Sequence, residues 1–256
     1  MTNSNKFSQA ATQLLNLRVA GTKAQRLETE IRPITTDDAL AVQTEMIAQH
    51  SDSIGGWKGL VPLAADKIIA APIFSKTIKR GPICELLPDN GMARVEPEIA
   101  FILAKDLPAQ QEDYSEAQID DAIEGCYMAL ELMQDRFDKD SGIEFNERLA
   151  DCLLNQGMYI GPKIDRELAY AAGQMDITFS QPDNVQTFEG KHPNPLPQNP
   201  VYWLINYMGK RGTSFKAGQA IITGSYAGIV NVDFDKPTEI EYAGIGKYTV
   251  EFKALS

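Results

Sequence analysis

The chain has 256 residues, 43% of them hydrophobic and 23% charged, which is enough for the core of one large domain or of one domain with an extension. The formal net charge of −11 argues against nucleic acid or an anionic membrane surface as the main partner. The sequence has no run of about 18 apolar residues that would suggest a membrane span, and its N-terminus lacks the apolar core of a signal peptide. We therefore expect a cytoplasmic protein. Its three cysteines, which have no C-x-x-C spacing, are expected to be buried reduced thiols.

The first fifty residues have helical patterns. Five apolar residues recur at helical spacing: Phe7, Ala10, Ala11, Leu14 and Leu15. After Pro33, Thr35 or Thr36 can cap a second helix, and Asp37 and Asp38 in its first turn are favoured by the helix dipole. From Ile54 onwards, short apolar runs are interrupted by glycine and proline, which is typical of strands and turns.

The most informative of these runs is Val95–Leu103. Residues two apart in a strand point to the same face, so Glu96 and Glu98 are expected side by side. Two carboxylates on one buried face repel each other and lose hydration unless a cation lies between them. A hard divalent ion such as Mg²⁺ or Mn²⁺ prefers such oxygen ligands. The alternative is an edge strand with a solvated acidic face, protected by Pro97.

The second half of the chain mixes helices with strands. Ser115 begins a capping box whose helix is expected to end near Gly125, and the alternation over 127–137 favours a strand. A helix is predicted over 145–155, and a long loop over 180–199. Asn199 is expected to cap a further helix, with Pro200 at its first position. Four alternating segments follow up to residue 252, and the grouping of strands with segregated helices predicts an α+β fold.

Three further features are candidates for chemistry. Glu131 is the one acid in the apolar run 128–133 and could supply a third metal ligand; a surface glutamate is the alternative. Lys58 lies between glycines and Trp57, where it could bind a carboxylate or transfer protons, or be a solvated turn residue. Gly224 and Ser225 end an apolar strand and could offer a backbone N–H and a hydroxyl to an anion, or form a plain turn.

Taken in order, these segments resemble the 2-keto-4-pentenoate hydratase and 4-oxalocrotonate decarboxylase family of the fumarylacetoacetate hydrolase superfamily. The resemblance covers nearly the whole chain. The segments that carry it are Asp38–Gln43, Trp57-Lys58-Gly59, Val95–Phe101, Ala129-Leu130-Glu131 with Arg136, Ala150-Asp151, Gly161, His192-Pro193, Trp203-Leu204 with Asn206, Ala217-Gly218 and Thr223-Gly224-Ser225.

The resemblance implies a mixed β-sandwich roll over residues 53–256, with an N-terminal helical segment over residues 1–52. It implies that Mg²⁺ or Mn²⁺ is bound by three glutamates and that the remaining site residues contact the substrate. The implied metal ligands are Glu96, Glu98 and Glu131. The implied substrate-binding residues are Lys58, which is also the implied catalytic residue, and Asp151, Gly224 and Ser225. A homo-oligomer is expected, either alone or in complex with a sister enzyme of the same pathway.

The implied activity is hydration of a 2-hydroxy-2,4-dienoate to a 4-hydroxy-2-oxo acid, a step in the catabolism of aromatic meta-cleavage products. The alternatives are decarboxylation of a 2-oxo-enedioate of the 4-oxalocrotonate type, and a non-catalytic relative that binds 2-oxo acids. The chain departs from the family pattern around the metal ligands. Val61-Pro62 replaces two hydroxyl residues, Ile73 and Gln134 replace acids, and Cys152 replaces an asparagine.

Overall fold

The computed structural model describes residues 3–20, 23–64 and 67–255. The helices are α1 (Asn3–Ala20), α2 (Thr36–Gln49), α3 (Glu116–Ala122), α4 (Phe145–Ala150), α5 (Arg166–Ala171) and α6 (Asn199–Gly209), with a short 3₁₀ turn at Ser75–Thr77. The strands are β1 (Ile54–Leu60), β2 (Ile69–Phe74), β3 (Ile78–Lys79), β4 (Ile83–Leu86), β5 (Ala93–Leu103), β6 (Ile123–Met133), β7 (Asn155–Ile164), β8 (Gln174–Gln181), β9 (Asn184–Lys191), β10 (Ala220–Ile222), β11 (Val230–Val232), β12 (Pro237–Tyr242) and β13 (Gly246–Ala254).

These strands form two mixed sheets. The larger has the order β2-β1-β10-β5-β6-β7-β3, with β11 also paired to β5, and the smaller has the order β4-β13-β12-β8-β9. Apolar side chains of both sheets share one core, and the Tyr242 hydroxyl crosses it to donate to the carbonyl of Ala129 at 2.7 Å. The α+β prediction and the sandwich-like packing of its sheets are confirmed.

The N-terminal helices build a second apolar cluster against α4 and β2. Of the two threonines predicted as possible caps, Thr35 caps α2, and it forms a capping box with Asp38. The buried amide of Gln43 then donates to the carbonyls of Ala70 (3.1 Å) and Leu149 (2.6 Å), which joins α2 to β2 and α4. The division of the chain at residues 52 and 53 stays a prediction, and residues 1, 2, 21, 22, 65, 66 and 256 of the two proposed ranges lie outside the described residues.

Two segments differ from their sequence predictions. The helix predicted over 145–155 is wrong beyond Ala150, because residues 152–154 all have positive φ (58°, 53° and 68°) and Asn155 begins β7. The long loop predicted over 180–199 is also wrong, since β8 and β9 form a hairpin that leaves only 192–198 irregular. Most β9 side chains are exposed or half-exposed, so this strand lacks the apolar alternation that would have revealed it.

Other elements follow the predictions with shifted ends. The strand predicted over 127–137 is β6, four residues earlier, and α3 is shorter than predicted because Gly125 already lies in β6. Helix α6 begins at Asn199 with Gln198 as its N-cap, so the predicted cap is wrong by one position. Cys84, Cys126 and Cys152 are buried free thiols, as expected. Among the described residues, no helix is long and apolar enough to cross a membrane.

Candidate metal centre

Strands β5 and β6 bring three glutamates together at the centre of the larger sheet. Glu96 lies directly opposite Glu131 in the antiparallel register, and Glu98 lies two residues further along the same face of β5. One carboxylate oxygen from each of the three residues lies within 4.8 Å of the other two. The spacing predicted from the sequence is therefore present, and the third carboxylate comes from the neighbouring strand.

The two faces of β5 have different surroundings. Ala100 and Ile102, which follow the glutamates on their face, lie in a small apolar cluster with Ile222 of β10. Ile99 and Phe101 of the opposite face lie in the main core between the sheets. The predicted alternation is correct, and it confines the acidic oxygens to one end of one face.

Pro97 occupies a central strand without breaking it. Its carbonyl accepts a hydrogen bond from the backbone N–H of Tyr226, at a place between the segments of β5 that pair with β10 and β11. A strand residue's nitrogen and carbonyl point to the same side, so the missing N–H of Pro97 removes no bond to β6. The alternative of an edge strand is therefore wrong.

Glu131 is completely buried and has one oxygen without a partner. Its Oε1 accepts from Lys58 Nζ at 2.6 Å and from Asn155 Nδ2 at 2.8 Å. Its Oε2 has no hydrogen-bond partner in the described part of the chain. A buried carboxylate oxygen left in this state costs free energy unless a ligand satisfies it.

The electrostatics of the cluster favour an added positive charge. Burial, followed by the charge of Glu131, raises the pKa of Glu96 to about 7, and the same causes raise the pKa of Glu98 well above its ordinary value. Burial lowers the pKa of Lys58, but the charges of Glu131 and Glu96 outweigh it, so the net shift of that pKa is upward. Three carboxylates share one ammonium group, and their oxygens suit a hard divalent ion. The residues present therefore fit a metal site.

Lys58 reaches the cluster from β1, where it pairs with Ile222 and Ala71. Only 8% of the residue is exposed, and its Nζ also donates to the carbonyl of Leu153 at 3.3 Å. That carbonyl belongs to the left-handed turn after α4. The lysine is thus a buried, oriented cation, and the alternative of a solvated turn residue is wrong.

The Gly224-Ser225 segment lies across the cluster from Lys58. The backbone N–H of Gly224 donates to Glu98 Oε2 at 2.6 Å, and the residue has a φ of +118°. A Cβ at this position would lie 2.9 Å from Leu60 Cδ1 and 3.0 Å from Pro193 Cγ, so glycine is required here. Ser225 Oγ donates to the carbonyl of Gly228 at 3.1 Å.

A cavity of about 260 Å³ opens over the glutamates. Its lining residues are Lys58, Gly59, Leu60, Ile69, Glu96, Glu98, Glu131, Pro193, Gly224, Ser225 and Gly228. Six of the seven site residues chosen from the sequence line this cavity. Its polar end is formed by the carboxylates and the ammonium group, and Leu60, Ile69 and Pro193 form an apolar wall.

Asp151 is the site residue that does not reach the cavity. Its Oδ2 accepts from Arg136 Nε at 2.7 Å, and both side chains are buried. The guanidinium also donates from Nη2 to the carbonyls of Asp151 (2.9 Å) and Asn155 (3.0 Å). Asp151 therefore lies outside the cavity. Its carboxylate binds Arg136, which in turn donates to the backbone carbonyl of Asn155.

Asn155 is the residue that sequence reasoning missed. Its side-chain amide donates to Glu131 Oε1 and to the carbonyl of Gly157 at 3.1 Å. The sequence placed it at the end of a helix, and no local signal marks its contact with Glu131.

Known proteins resemble this chain both in sequence and in fold. No family model matches the chain. A 2-keto-4-pentenoate hydratase of Paraburkholderia xenovorans (strain LB400) is 29% identical over 164 residues, which are 63% of this chain and 59% of that protein. The chain thus matches less than two thirds of the length of this curated relative.

Solved structures match over a longer range. The 4-oxalocrotonate decarboxylase from Pseudomonas putida G7, complexed with magnesium and adipate, superposes with a TM-score of 0.78 at 17% identity, over 97% of this chain and 98% of that one. A protein from Yersinia pestis CO92 with a provisional fumarylacetoacetate hydrolase family name superposes with a TM-score of 0.55 at 17% identity, over 80% and 95% of the two chains. These likenesses support the fold.

Proposed function

We propose that the chain belongs to the family of 2-keto-4-pentenoate hydratases and 4-oxalocrotonate decarboxylases in the fumarylacetoacetate hydrolase superfamily, and that it is a divalent-metal-dependent hydratase acting on a 2-hydroxy-2,4-dienoate. The product would be a 4-hydroxy-2-oxo acid, formed in the catabolism of aromatic meta-cleavage products. The observation that carries this proposal is the three-glutamate cluster with its unpartnered Glu131 Oε2, beside a buried Lys58.

We infer that Glu96, Glu98 and Glu131 hold Mg²⁺ or Mn²⁺. Three carboxylates offer the oxygen donors that these ions prefer. The 4-oxalocrotonate decarboxylase with the similar fold has been solved both with magnesium and adipate and with calcium and acetate, which is consistent with a metal beside a carboxylate ligand. When bound, the ion would act as a Lewis acid that polarises the oxygen at C2 of the substrate and offsets the charge of its carboxylate.

The side chains of the cavity supply the other requirements of the reaction. Hydration bonds a water oxygen to C4, adds hydrogen at C3 and C5, and converts the C2 enol to a ketone. We infer that Lys58 gives and takes the proton, because its Nζ carries protons and donates to Glu131 and to the carbonyl of Leu153. Gly224 donates to the Glu98 carboxylate, and Ser225 lines the same cavity.

Decarboxylation of a 2-oxo-enedioate is the second candidate, and one observation favours it. Among the described residues lining the cavity there is no histidine and no fourth carboxylate to activate water. Loss of CO₂ breaks a carbon–carbon bond and leaves its electron pair on the remaining enolate, which then needs only a proton. Lys58 alone could supply that proton.

Two substrates separate these candidates. The purified protein, with Mg²⁺ or Mn²⁺, is given 2-hydroxypenta-2,4-dienoate and, separately, 4-oxalocrotonate, while ultraviolet absorbance and CO₂ are followed. A hydratase consumes the diene without releasing CO₂, and a decarboxylase releases CO₂ from the enedioate. Turnover of neither substrate, together with retained Mn²⁺ and 2-oxo acid binding, would support the non-catalytic relative and contradict both enzymatic proposals.

Assembly and location remain proposals of the same kind. We propose a homo-oligomer in the cytoplasm, alone or with a sister enzyme of its pathway. Native mass spectrometry of the purified protein measures the number of copies, and a monomer at micromolar concentration would contradict this proposal.

A further inference from the structure

A second cavity, of about 340 Å³, shares no lining residue with the cavity over the glutamates. It is bounded by the last turn of α1, the 3₁₀ turn after β2, strand β4 and the ends of β6 and β7. Leu132 lines it, whereas its neighbour Glu131 lines the other cavity. Successive strand residues point to opposite faces, so the two cavities lie on opposite faces of β6.

The second cavity is cationic although the chain as a whole is acidic. Four of its lining residues are positively charged: Arg18, Lys76, Lys79 and Arg136. Asp151 pairs with Arg136, and Glu85 lies 3.9 Å from Lys79. Within the described residues, neither Arg18 nor Lys76 forms an ion pair with a carboxylate.

Buried donors in this cavity lack partners. Arg136 is fully buried, and Nε and Nη2 of its guanidinium are hydrogen-bonded, but its Nη1 has no partner among the described residues. The buried Nε of Arg18 is a second unpartnered donor in the same part of the chain. The buried Oε1 of Gln134 also lacks a partner, but it is an acceptor and would not contact an anion. Unsatisfied buried donors beside cations are the features expected of an anion-binding site.

The remaining walls are apolar and aromatic. Phe74, Leu86 and Leu132 line the cavity, and the His50 ring stacks on Phe74 with centroids 4.0 Å apart. The Arg18 guanidinium lies 5.7 Å from the centre of the Phe74 ring. An inorganic anion would leave these walls without a partner, whereas a carboxylate with a flat apolar body would use both the cations and the walls.

We propose that this second cavity binds a small organic anion, a carboxylate attached to an apolar body, through Arg18, Lys76 and the free Nη1 of Arg136. This site is independent of the proposed reaction because it needs neither the three glutamates nor a metal.

Calorimetric titration of the metal-free protein in EDTA with benzoate tests this proposal. Benzoate is expected to bind one per chain with a dissociation constant on the order of 1 mM or lower, and neutral benzamide is expected not to bind. An R18Q/K76Q double variant should weaken binding about ten-fold or more, since it removes two charged donors. Glu131→Gln should bind benzoate like the parent, which separates this site from the metal centre.

The matched control is a K105Q/K163Q double variant, which loses the same two charges at exposed positions. It should bind benzoate like the parent. Melting temperatures check that each variant is folded, and Lys76→Gln alone, at an exposed side chain, tests the site if the double variant is unstable. Absence of benzoate binding, equal weakening by both double variants, equal binding of benzamide, or binding of inorganic phosphate in preference to benzoate would each overturn the proposal.

Discussion

Asn155 Nδ2 lies 2.8 Å from Glu131 Oε1, and the carbonyl oxygen of the same Asn155 lies 3.0 Å from Arg136 Nη2. The asparagine therefore connects the buried Arg136–Asp151 pair to the carboxylate cluster. Its hydrogen bond and that of Lys58 both go to Oε1, which leaves Oε2 of Glu131 free for a ligand. Residues that orient a metal-binding carboxylate in this way commonly affect metal affinity as much as some ligands do.

Replacing Asn155 by alanine should weaken Mn²⁺ binding about ten-fold or more, because Glu131 loses the donor that fixes its orientation. Electron paramagnetic resonance of free Mn²⁺ measures this affinity directly. Asn231→Ala, at an exposed position on β11, is the control and should bind Mn²⁺ like the parent. Unchanged affinity in Asn155→Ala would show that Glu131 is oriented by Lys58 alone.

Glu131→Gln should abolish Mn²⁺ binding and lower turnover of the dienoate or enedioate by about 100-fold or more, because a ligand of the proposed metal and the partner of Lys58 are lost together. Glu124→Gln is a control on the same strand, where the exposed side chain pairs with Lys163 at 2.6 Å. Its activity should match the parent.

Because Glu131 is fully buried, its variant must be checked by thermal melting. Glu96→Gln, at a partly exposed ligand, should give the same loss in a fold that is less disturbed. Normal Mn²⁺ binding by both folded variants would remove these glutamates from the metal site.

The glutamate face could be predicted because it depends on strand geometry alone. Side chains two residues apart share a face, and the apolar run after Glu98 indicates that this face is buried. The α2 cap was also local, since a threonine before two acids marks the start of a helix, although the sequence left Thr35 and Thr36 both open.

The missed contacts depend on long-range pairing. Asn155 reaches Glu131 because residues 152–154 turn with positive φ and deliver the chain into β7 beside β6. Leucine and cysteine rarely adopt that conformation, so their identity favours the helix that was predicted. The turn is held by tertiary contacts such as Gln134 N–H to the carbonyl of Leu154 at 2.8 Å, which no window of sequence contains. Strand β9 was missed because an exposed strand has no apolar period.

Gly224→Ala should destabilise the fold and impair the site. The added Cβ meets Leu60 and Pro193 at about 3 Å, and the φ of +118° disfavours any side chain, so we expect a loss of about 2–3 kcal/mol in the free energy of unfolding. Movement of the Gly224 N–H away from Glu98 should also reduce Mn²⁺ affinity. Urea unfolding and Mn²⁺ titration measure the two effects.

Gly212→Ala separates backbone strain from contact. Gly212 has a φ of +90° with nothing within 4 Å of a built Cβ, so its variant should lose only about 1 kcal/mol and keep full Mn²⁺ affinity. Equal losses in the two glycine variants would show that the cavity wall near Gly224 yields to a methyl group.

Asp89 gives a pH-dependent contribution to stability away from the metal centre. Burial raises the pKa of this carboxyl, but Lys23 at 2.8 Å, the backbone N–H of Asp135 at 2.9 Å and Arg94 outweigh burial and hold the pKa below its ordinary value. A carboxyl whose folded pKa is lowered stabilises the fold above its unfolded pKa. That contribution is lost as the pH falls through the folded pKa.

Asp89→Asn should therefore lower the free energy of unfolding by about 2 kcal/mol at pH 7, because it leaves Lys23 and Arg94 without their buried partner. The difference from the parent should shrink at an acid pH below the ordinary aspartate pKa of about 4, as the parent carboxyl loses its charge at its lowered folded pKa. Urea unfolding at the two pH values measures it. Asp121→Asn, which breaks an exposed pair with Lys105, should change stability little at either pH. A difference for Asp89→Asn that stayed constant with pH would mean that packing of the carboxyl group, and not its charge, stabilises this part of the fold.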